Sequence, residues 1–494
     1  MLSFKRLTAL AVCGLLLISA MAACGGGDKT ADGGPDTVTA AGDTAAETTT
    51  VFRNENIPAD LDLGGETINV WYFTKNSDVS ESFIDMKGEQ SGEVVDDALY
   101  ERNMSVEEQL NMKFNFVDTG VASSDTGTEM RKLIMAGSDE YDFYNVVQWN
   151  SARYVTEGLF MNMINAPYIN IEEPWWSTEY INEINIGKSN LFLLCGDIDI
   201  DMIRCIGCMY FNKQMYENYF GNPEDQYSQV LDGKWTVDRL YENAAASYAD
   251  LDGDNKVSAA DQFGMLLNNY NNIDVIFFGM GMRTTGRDAD GNPFLVLNSE
   301  RNIDAMEALY HVVMENEGVK LGPPLDNTKD FNNGLALYLV GFLYSSELLR
   351  DMTQDYGIIP APKYNEEQEN YSSVVHDIAT LQCLPASCQK FEQVSAVLEL
   401  MAFESYKSVT PAYYETALKT KYTRDNLSSQ IVDLLHDTAM TDIAYVFGDA
   451  FNSLGYTGRN MIQSKKSDLS SWYASREKTA LKKMQQLIDA YNEL

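Results

Sequence analysis

The sequence predicts an α/β protein with a mainly parallel sheet. Short runs rich in aromatic and β-branched residues recur at 67–73, 113–117 and 141–147. Between the first two lies a helical stretch whose apolar positions Val95, Ala98, Leu99, Val106 and Leu110 share one face. Strand–helix–strand alternation of this kind buries a parallel sheet under helices. Ligands of such sheets sit beyond the carboxyl ends of the strands, where this chain carries Tyr72 and Trp149. The body that follows a polar N-terminal stretch, about 430 residues, exceeds one ordinary core, so two domains are expected.

Residues 1–23 read as a secretory signal peptide. Lys5 and Arg6 precede the apolar run 7–20, which is too short for a membrane span. Met21-Ala22-Ala23 before Cys24 resembles a lipobox, with Met21 at a position usually held by Leu. The resemblance implies cleavage before Cys24, a diacylglycerol on its thiol, and a protein lipid-anchored to the cell membrane and facing outside the cytoplasm. The alternative is an ordinary secretory signal with a chance cysteine. Residues 24–60, rich in Gly, Ala, Thr and Asp, cannot bury enough apolar surface to fold and read as a stalk.

Further along, Thr236 can cap a helix whose apolar face is Val237, Leu240, Ala244 and Tyr248. Gly291-Asn292-Pro293 signals a hairpin, and 335–344 a buried strand or strand pair. Phe391, Val394, Leu398 and Met401 mark one amphipathic helix; Leu481, Met484, Ile488 and Tyr491 mark the last. The net charge of −37 argues against nucleic acid and against anionic lipid surfaces as partners. Cys205 and Cys208 have CxxC spacing, which fits buried structural thiols, redox chemistry or half a zinc site. Cys195, Cys383 and Cys388 complete an odd set, and spacing alone does not pair Cys383 with Cys388.

The sharpest local chemistry lies at residues 250–261. Asp250, Asp252, Asp254 and Asp261 occupy positions 1, 3, 5 and 12 of a twelve-residue loop. Lys256 offers a backbone carbonyl at position 7 and Ser258 a hydroxyl at position 9. That spacing wraps hard oxygens around one Ca²⁺ of structural role. Asn255 stands where Gly is usual, and Asp261 where Glu is usual, which resembles dockerin-type loops more than EF-hand sensors. The alternative is a polar turn.

Several motifs follow one another in a telling order. They are Ala98-Leu99-Tyr100-Glu101-Arg102-Asn103 with Val106-Glu107-Glu108, Met209-Tyr210-Phe211-Asn212-Lys213, Gly233-Lys234-Trp235-Thr236, and Phe331-Asn332-Asn333-Gly334-Leu335-Ala336-Leu337. The most characteristic is Tyr356-Gly357-Ile358-Ile359-Pro360-Ala361-Pro362-Lys363-Tyr364. With the lipobox and stalk, the set resembles bacterial extracellular solute-binding proteins of sugar-importing ABC transporters, family 1, over residues 65–435. The resemblance implies a type II periplasmic-binding-protein-like fold, with two discontinuous α/β lobes joined by crossing strands. It divides the chain into 61–205 (first lobe), 206–375 (second lobe), 376–440 (return to the first) and 441–494 (C-terminal helices of the second). Crossings are expected near 204–208, near 374–378 and near Ala444.

The same resemblance implies a monomeric receptor that binds a carbohydrate, an oligosaccharide, between its lobes and delivers it to ABC permease subunits. A non-transport surface adhesin or an anchored glycoside hydrolase is the alternative. The chain lacks G-x-S-x-G, H-E-x-x-H and P-loop motifs, so no enzyme activity is expected. Sugars need aromatic faces edged by polar groups. Candidate ligand-binding residues are Tyr72, Trp149, Asp199, Arg204, Phe342 and Tyr344. For Tyr72 and Trp149 the alternative is core packing, since Trp71 and Tyr72 point to opposite faces of one strand. For Asp199, Asp201 and Arg204 it is a solvated turn. Trp175 and Trp176 either cap a cleft or seal a lobe, and His376 with Asp377 either touches ligand or is structural.

Overall fold

The computed structural model describes residues 54–74, 86–255, 257–258, 260–414 and 426–494. The expected signal peptide, Cys24 and most of the expected stalk lie outside them, as does Lys256. The contact pattern separates Met1–Glu55 from Asn56–Leu494, and all that follows concerns the second unit.

Thirteen strands are formed among the described residues: β1 (Glu66–Tyr72), β2 (Met112–Asp118), β3 (Phe143–Val147), β4 (Gly207–Asn212), β5 (Phe263–Leu267), β6 (Thr285–Arg287), β7 (Pro293–Leu295), β8 (Val319–Leu321), β9 (Ala336–Phe342), β10 (Tyr356–Ile359), β11 (Ser373–Val374), β12 (Thr380–Cys383) and β13 (Ala439–Met440). They segregate into two main sheets, ordered β12-β3-β1-β2 and β10-β4-β9-β5-β8. In the first, β1 runs parallel to β2 and β3, and β12 pairs antiparallel with β3. In the second, β5 is parallel to β8 and β9, while β4 runs antiparallel to β9 and β10. The first sheet is thus discontinuous in sequence, with a late strand closing an early set. The chain is thus mixed α/β, built on two separate main sheets.

Six helices matter for the site: α1 (Val94–Leu110), α2 (Val237–Ala246), α3 (Asn271–Gly279), α4 (Phe391–Glu404), α5 (Thr457–Gln463) and α6 (Glu477–Glu493). On α1, Ala98, Leu99, Val106 and Leu110 are buried as their spacing predicts, and α1 packs on α4. On α6, Met484, Ile488 and Tyr491 are buried but Leu481 is exposed, because the covered stripe runs through Ala480 and Leu487 instead. Phe192 meets the Tyr491 ring edge-on, so α6 packs against a residue of the segment expected in the first lobe. α5 packs on α3, which in turn lies against β4, β9 and β11.

Both Trp71 and Tyr72 are buried, although the sequence reading allowed a core environment to only one of them. The reason is position: β1 is an interior strand between two parallel neighbours, and its adjacent residues Trp71 and Tyr72, on opposite faces, are 1% and 3% exposed, so both faces are covered there. Trp175 and Trp176 are also buried. Their indole N–H groups donate at 3.0 and 2.8 Å to the carboxylate of Glu399 on α4, which places them in a polar-anchored core. The five cysteines of the described residues are buried free thiols.

Three short segments join the two sheets side by side. Ile206 bridges Val375 antiparallel, and β11 pairs with β13 in parallel. The His376 amide donates to the Cys205 carbonyl at 2.8 Å. Gly207, opening β4, is packed so closely here that an added Cβ would lie 3.0 Å from Val275 and 3.1 Å from the Val374 carbonyl.

Candidate functional site

The carboxyl ends of parallel strands from both sheets converge on His376 and Asp377, just beyond the crossing segment. From the first sheet, Gln148 and Trp149 follow β3. The Gln148 side-chain amide donates to the His376 carbonyl at 2.9 Å, and the Trp149 backbone amide donates to the Asp377 carbonyl at 3.3 Å. From the second sheet, Tyr270 and Asn271 follow β5. The Asn271 side chain lies 2.5 Å from His376 Nε2. Phe342 ends β9, with its ring 4.4 Å from the His376 ring, and stacks on Tyr344 at 5.5 Å. The Tyr344 amide donates to the Arg204 carbonyl at 2.9 Å.

Two aromatic side chains at these strand ends stay open to water. Trp149 is 40% exposed and Tyr270 is 53% exposed. They come from different sheets and are linked through one residue. Asp377 accepts from the Trp149 amide on its carbonyl, and its carboxylate Oδ2 accepts from Arg459 Nη2 at 3.1 Å. The Arg459 guanidinium lies over the Tyr270 ring, 4.2 Å from its centroid. Arg459 Nε donates to Asp274 Oδ2 at 2.6 Å.

The electrostatics follow from that sharing. Burial alone would raise Asp377, but Arg459 and His376 outweigh it and hold its carboxyl down at about 2. Burial dominates at Asp274, which is pushed up to about 6 despite Arg459. Burial would lower Arg459, yet Asp274, Tyr445 and Asp377 keep it well above the ordinary arginine value.

The remaining sequence candidates are distributed around this centre. Tyr72 packs edge-on against Phe116 at 6.0 Å within the first sheet. Phe342 and Tyr344 are buried beside His376. Asp199 is buried and accepts from Asn145 at 2.9 Å, from the Asp201 amide at 3.0 Å and from the Thr380 hydroxyl, so it pins β3 to β12. Arg204 is buried between Asp201 at 2.5 Å and Glu347, whose carboxylate it meets at 2.9 and 3.0 Å. The solvated turn weighed for Asp199, Asp201 and Arg204 is replaced by a buried network. Arg204 is balanced by Glu347, so Asp201 is the surplus carboxyl; burial and Asp199 push it up to about 7. Sequence reasoning missed Tyr270, Asp274 and Arg459.

The acidic loop lies elsewhere, between α2 and β5. Asp250, Asp252 and Asp254 bring carboxylate oxygens within 4.8 Å of one another. The amides of Asn255 and Gly253 donate to Asp250 at 2.8 and 2.7 Å and hold its carboxyl below the usual range. Asn255 takes the left-handed φ of 57° that position 6 demands. Asp261 is fully buried; its Oδ2 accepts from the Ser258 amide at 2.7 Å, while its Oδ1 has no hydrogen-bond partner among the described residues. Three clustered carboxylates beside a left-handed turn suit a hard divalent cation, but Asp261, the expected twelfth-position ligand, is not part of that cluster.

No protein-family model matches the chain, and no curated protein matches it. Solved structures do. The galacto-N-biose-/lacto-N-biose I-binding protein of an ABC transporter from Bifidobacterium longum, in complex with lacto-N-biose, superposes with a TM-score of 0.57 at 11% identity, covering 86% of this chain and 99% of that one. UgpB from Mycobacterium tuberculosis, in complex with glycerophosphocholine, gives 0.56 at 14% identity over 86% and 100%. An ABC transporter solute-binding protein from Thermotoga lettingae, bound with α-D-tagatose, gives 0.54 at 12% identity over 85% and 100%. Likeness at this identity establishes architecture, and the chain therefore has the two-lobed fold of ABC-transporter solute-binding proteins.

Proposed function

We propose that this chain is an extracytoplasmic receptor that binds a carbohydrate, an oligosaccharide, and delivers it to an ABC permease. One observation carries the reading. Two half-open aromatic rings, Trp149 and Tyr270, extend from the strand ends of different sheets and are tied to the same crossing residue, Asp377. Aromatic faces edged by polar groups suit sugar rings, and a ligand touching both sheets favours the arrangement that brings them together. Neighbours bound to lacto-N-biose and to α-D-tagatose support a sugar. The neighbour bound to glycerophosphocholine makes a phosphodiester the competing ligand.

In this reading Cys24 carries the lipid that holds a monomer at the outer face of the cell membrane. Among the described residues no helix is long and apolar enough to cross a membrane. One Ca²⁺ is held at Asp250, Asp252, Asp254 and Asp261, with Lys256 and Ser258 completing its shell, and it braces the approach to β5. The test of function is a thermal-shift and calorimetric screen of mono- and oligosaccharides alongside glycerophosphocholine. Stabilisation by a sugar supports the reading. Stabilisation by glycerophosphocholine alone overturns the substrate class, and sugar release from a glycan polymer overturns the receptor role.

A further inference from the structure

Arg459 sits 1% exposed on α5, yet its guanidinium lies against the most exposed aromatic of the candidate site. Tyr456 and Tyr445 flank it, with ring centroids 4.5 and 5.4 Å away, and Asp274 and Asp377 take its N–H donors. The Tyr445 hydroxyl accepts from Nη2 at 3.0 Å as well, so two carboxylates and three tyrosines, Tyr270 among them, surround the group. Tyr270 itself lies in the link between β5 and α3, its amide donating to Asn268 Oδ1 at 2.8 Å. A ring with half its surface in water gains no fixed orientation from packing. A planar cation stacked beneath it supplies one, and leaves the opposite face free.

We propose that Arg459 is a positioning residue for ligand binding. It holds the Tyr270 ring flat and, through Asp377, sets that ring relative to Trp149. Arg459 touches no ligand; Tyr270 does. The proposal rests on the reading that a sugar stacks on Tyr270. Lysine in place of Arg459 keeps the charge facing Asp274 and Asp377 but has no plane to stack under the ring. The two roles of the side chain, ion pairing and stacking, thereby separate.

The experiment is a double-mutant cycle on binding, measured by calorimetry with maltotetraose, lacto-N-biose and α-D-tagatose, at a temperature where circular dichroism shows every variant folded. Tyr270→Ala is expected to weaken the bound sugar about tenfold or more, and Arg459→Lys by a similar factor. The double variant is expected to bind no more weakly than Tyr270→Ala alone, because Arg459 acts through that ring. Wild-type affinity in Arg459→Lys, or losses that multiply in the double variant, would overturn the proposal. A second measurement needs neither sugar nor an Arg459 variant: fluorine relaxation of 3-fluorotyrosine placed at position 270 in otherwise wild-type protein. Restricted ring motion is expected, and free rotation overturns the positioning role. If wild type binds none of the three sugars, the sugar reading fails, while free rotation of the ring remains the result that overturns the positioning role.

Discussion

Trp149→Ala is the sharpest perturbation of the candidate site. The residue is 40% exposed. A tryptophan offers up to ~250 Å², so about 100 Å² of it is open for a ligand to cover. At ~25 cal/mol per Å² that area is worth about 2.5 kcal/mol, or roughly 70-fold in Kd. The covered part of the ring, about 150 Å², supports the fold, so truncation also costs stability, with ~4 kcal/mol as an upper bound. Affinity and stability must therefore be read separately. Calorimetry on folded Trp149→Ala gives the first, and its melting curve the second. Trp149→Phe is the control: it keeps a flat face and should lose only part of the affinity. Folded Trp149→Ala that binds sugar with wild-type Kd would refute the reasoning, whatever its melting temperature.

Three further outcomes are expected. Cys24→Ala should move the protein from the membrane fraction to the soluble one with an unchanged melting temperature; retention at the membrane would reveal another anchor. EDTA should lower the melting temperature relative to excess Ca²⁺, and Asp252→Ala with Asp254→Ala should abolish the difference; equal wild-type curves in both buffers would remove the ion. Asp201, raised to about 7 in the folded protein against an ordinary 3.8, takes up its proton in the folded state first. Its contribution to stability therefore grows as pH falls from about 7 towards 4, on the order of a few kcal/mol, and is absent above that window. Melting temperatures of Asp201→Asn should lack this slope, and identical slopes would place the titration elsewhere.

What the sequence made legible was position along strands. Trp149 follows a strand in a pattern that reads as parallel, and it stands open at that strand's end. The same rule extends to Tyr270, which follows the buried run Phe263–Leu267 and precedes an apolar helix, but no strand was read there from the sequence. Asp199 and Arg204 were legible as polar groups near a crossing. Their burial was not, because it depends on Asn145, Thr380 and Glu347, which are remote in sequence. Arg459 had no local signal at all. Thr457-Gly458-Arg459-Asn460 reads as a solvated helix start, and only its pairing with Asp274, 185 residues away, makes burial tolerable. The acidic loop was legible because its carboxylates are local, whereas Asp261's burial again required the folded protein.

The two buried arginines also constrain how such a molecule can move. Arg204 ties the first crossing to Glu347 beyond β9, and Arg459 ties the residues after the second crossing to α3. Parting Arg459 from Asp377 would break a buried charge-assisted hydrogen bond, at a cost of roughly 1.5–3 kcal/mol, although Arg459 would keep Asp274 and Asp377 would keep His376. A motion that slid one sheet past the other at this point would meet that cost before any ligand contact offset it. Rotation about the paired segments around Ile206, Val375 and β13 avoids it, because the ion pairs lie close to those segments and their partners barely separate. The outer ends of the sheets then travel while Trp149, Asp377, Arg459 and Tyr270 keep their mutual contacts. For the receptor proposed above, the aromatic pair would then be set before ligand arrives, with binding energy spent on closing the outer parts of the lobes rather than on assembling the site.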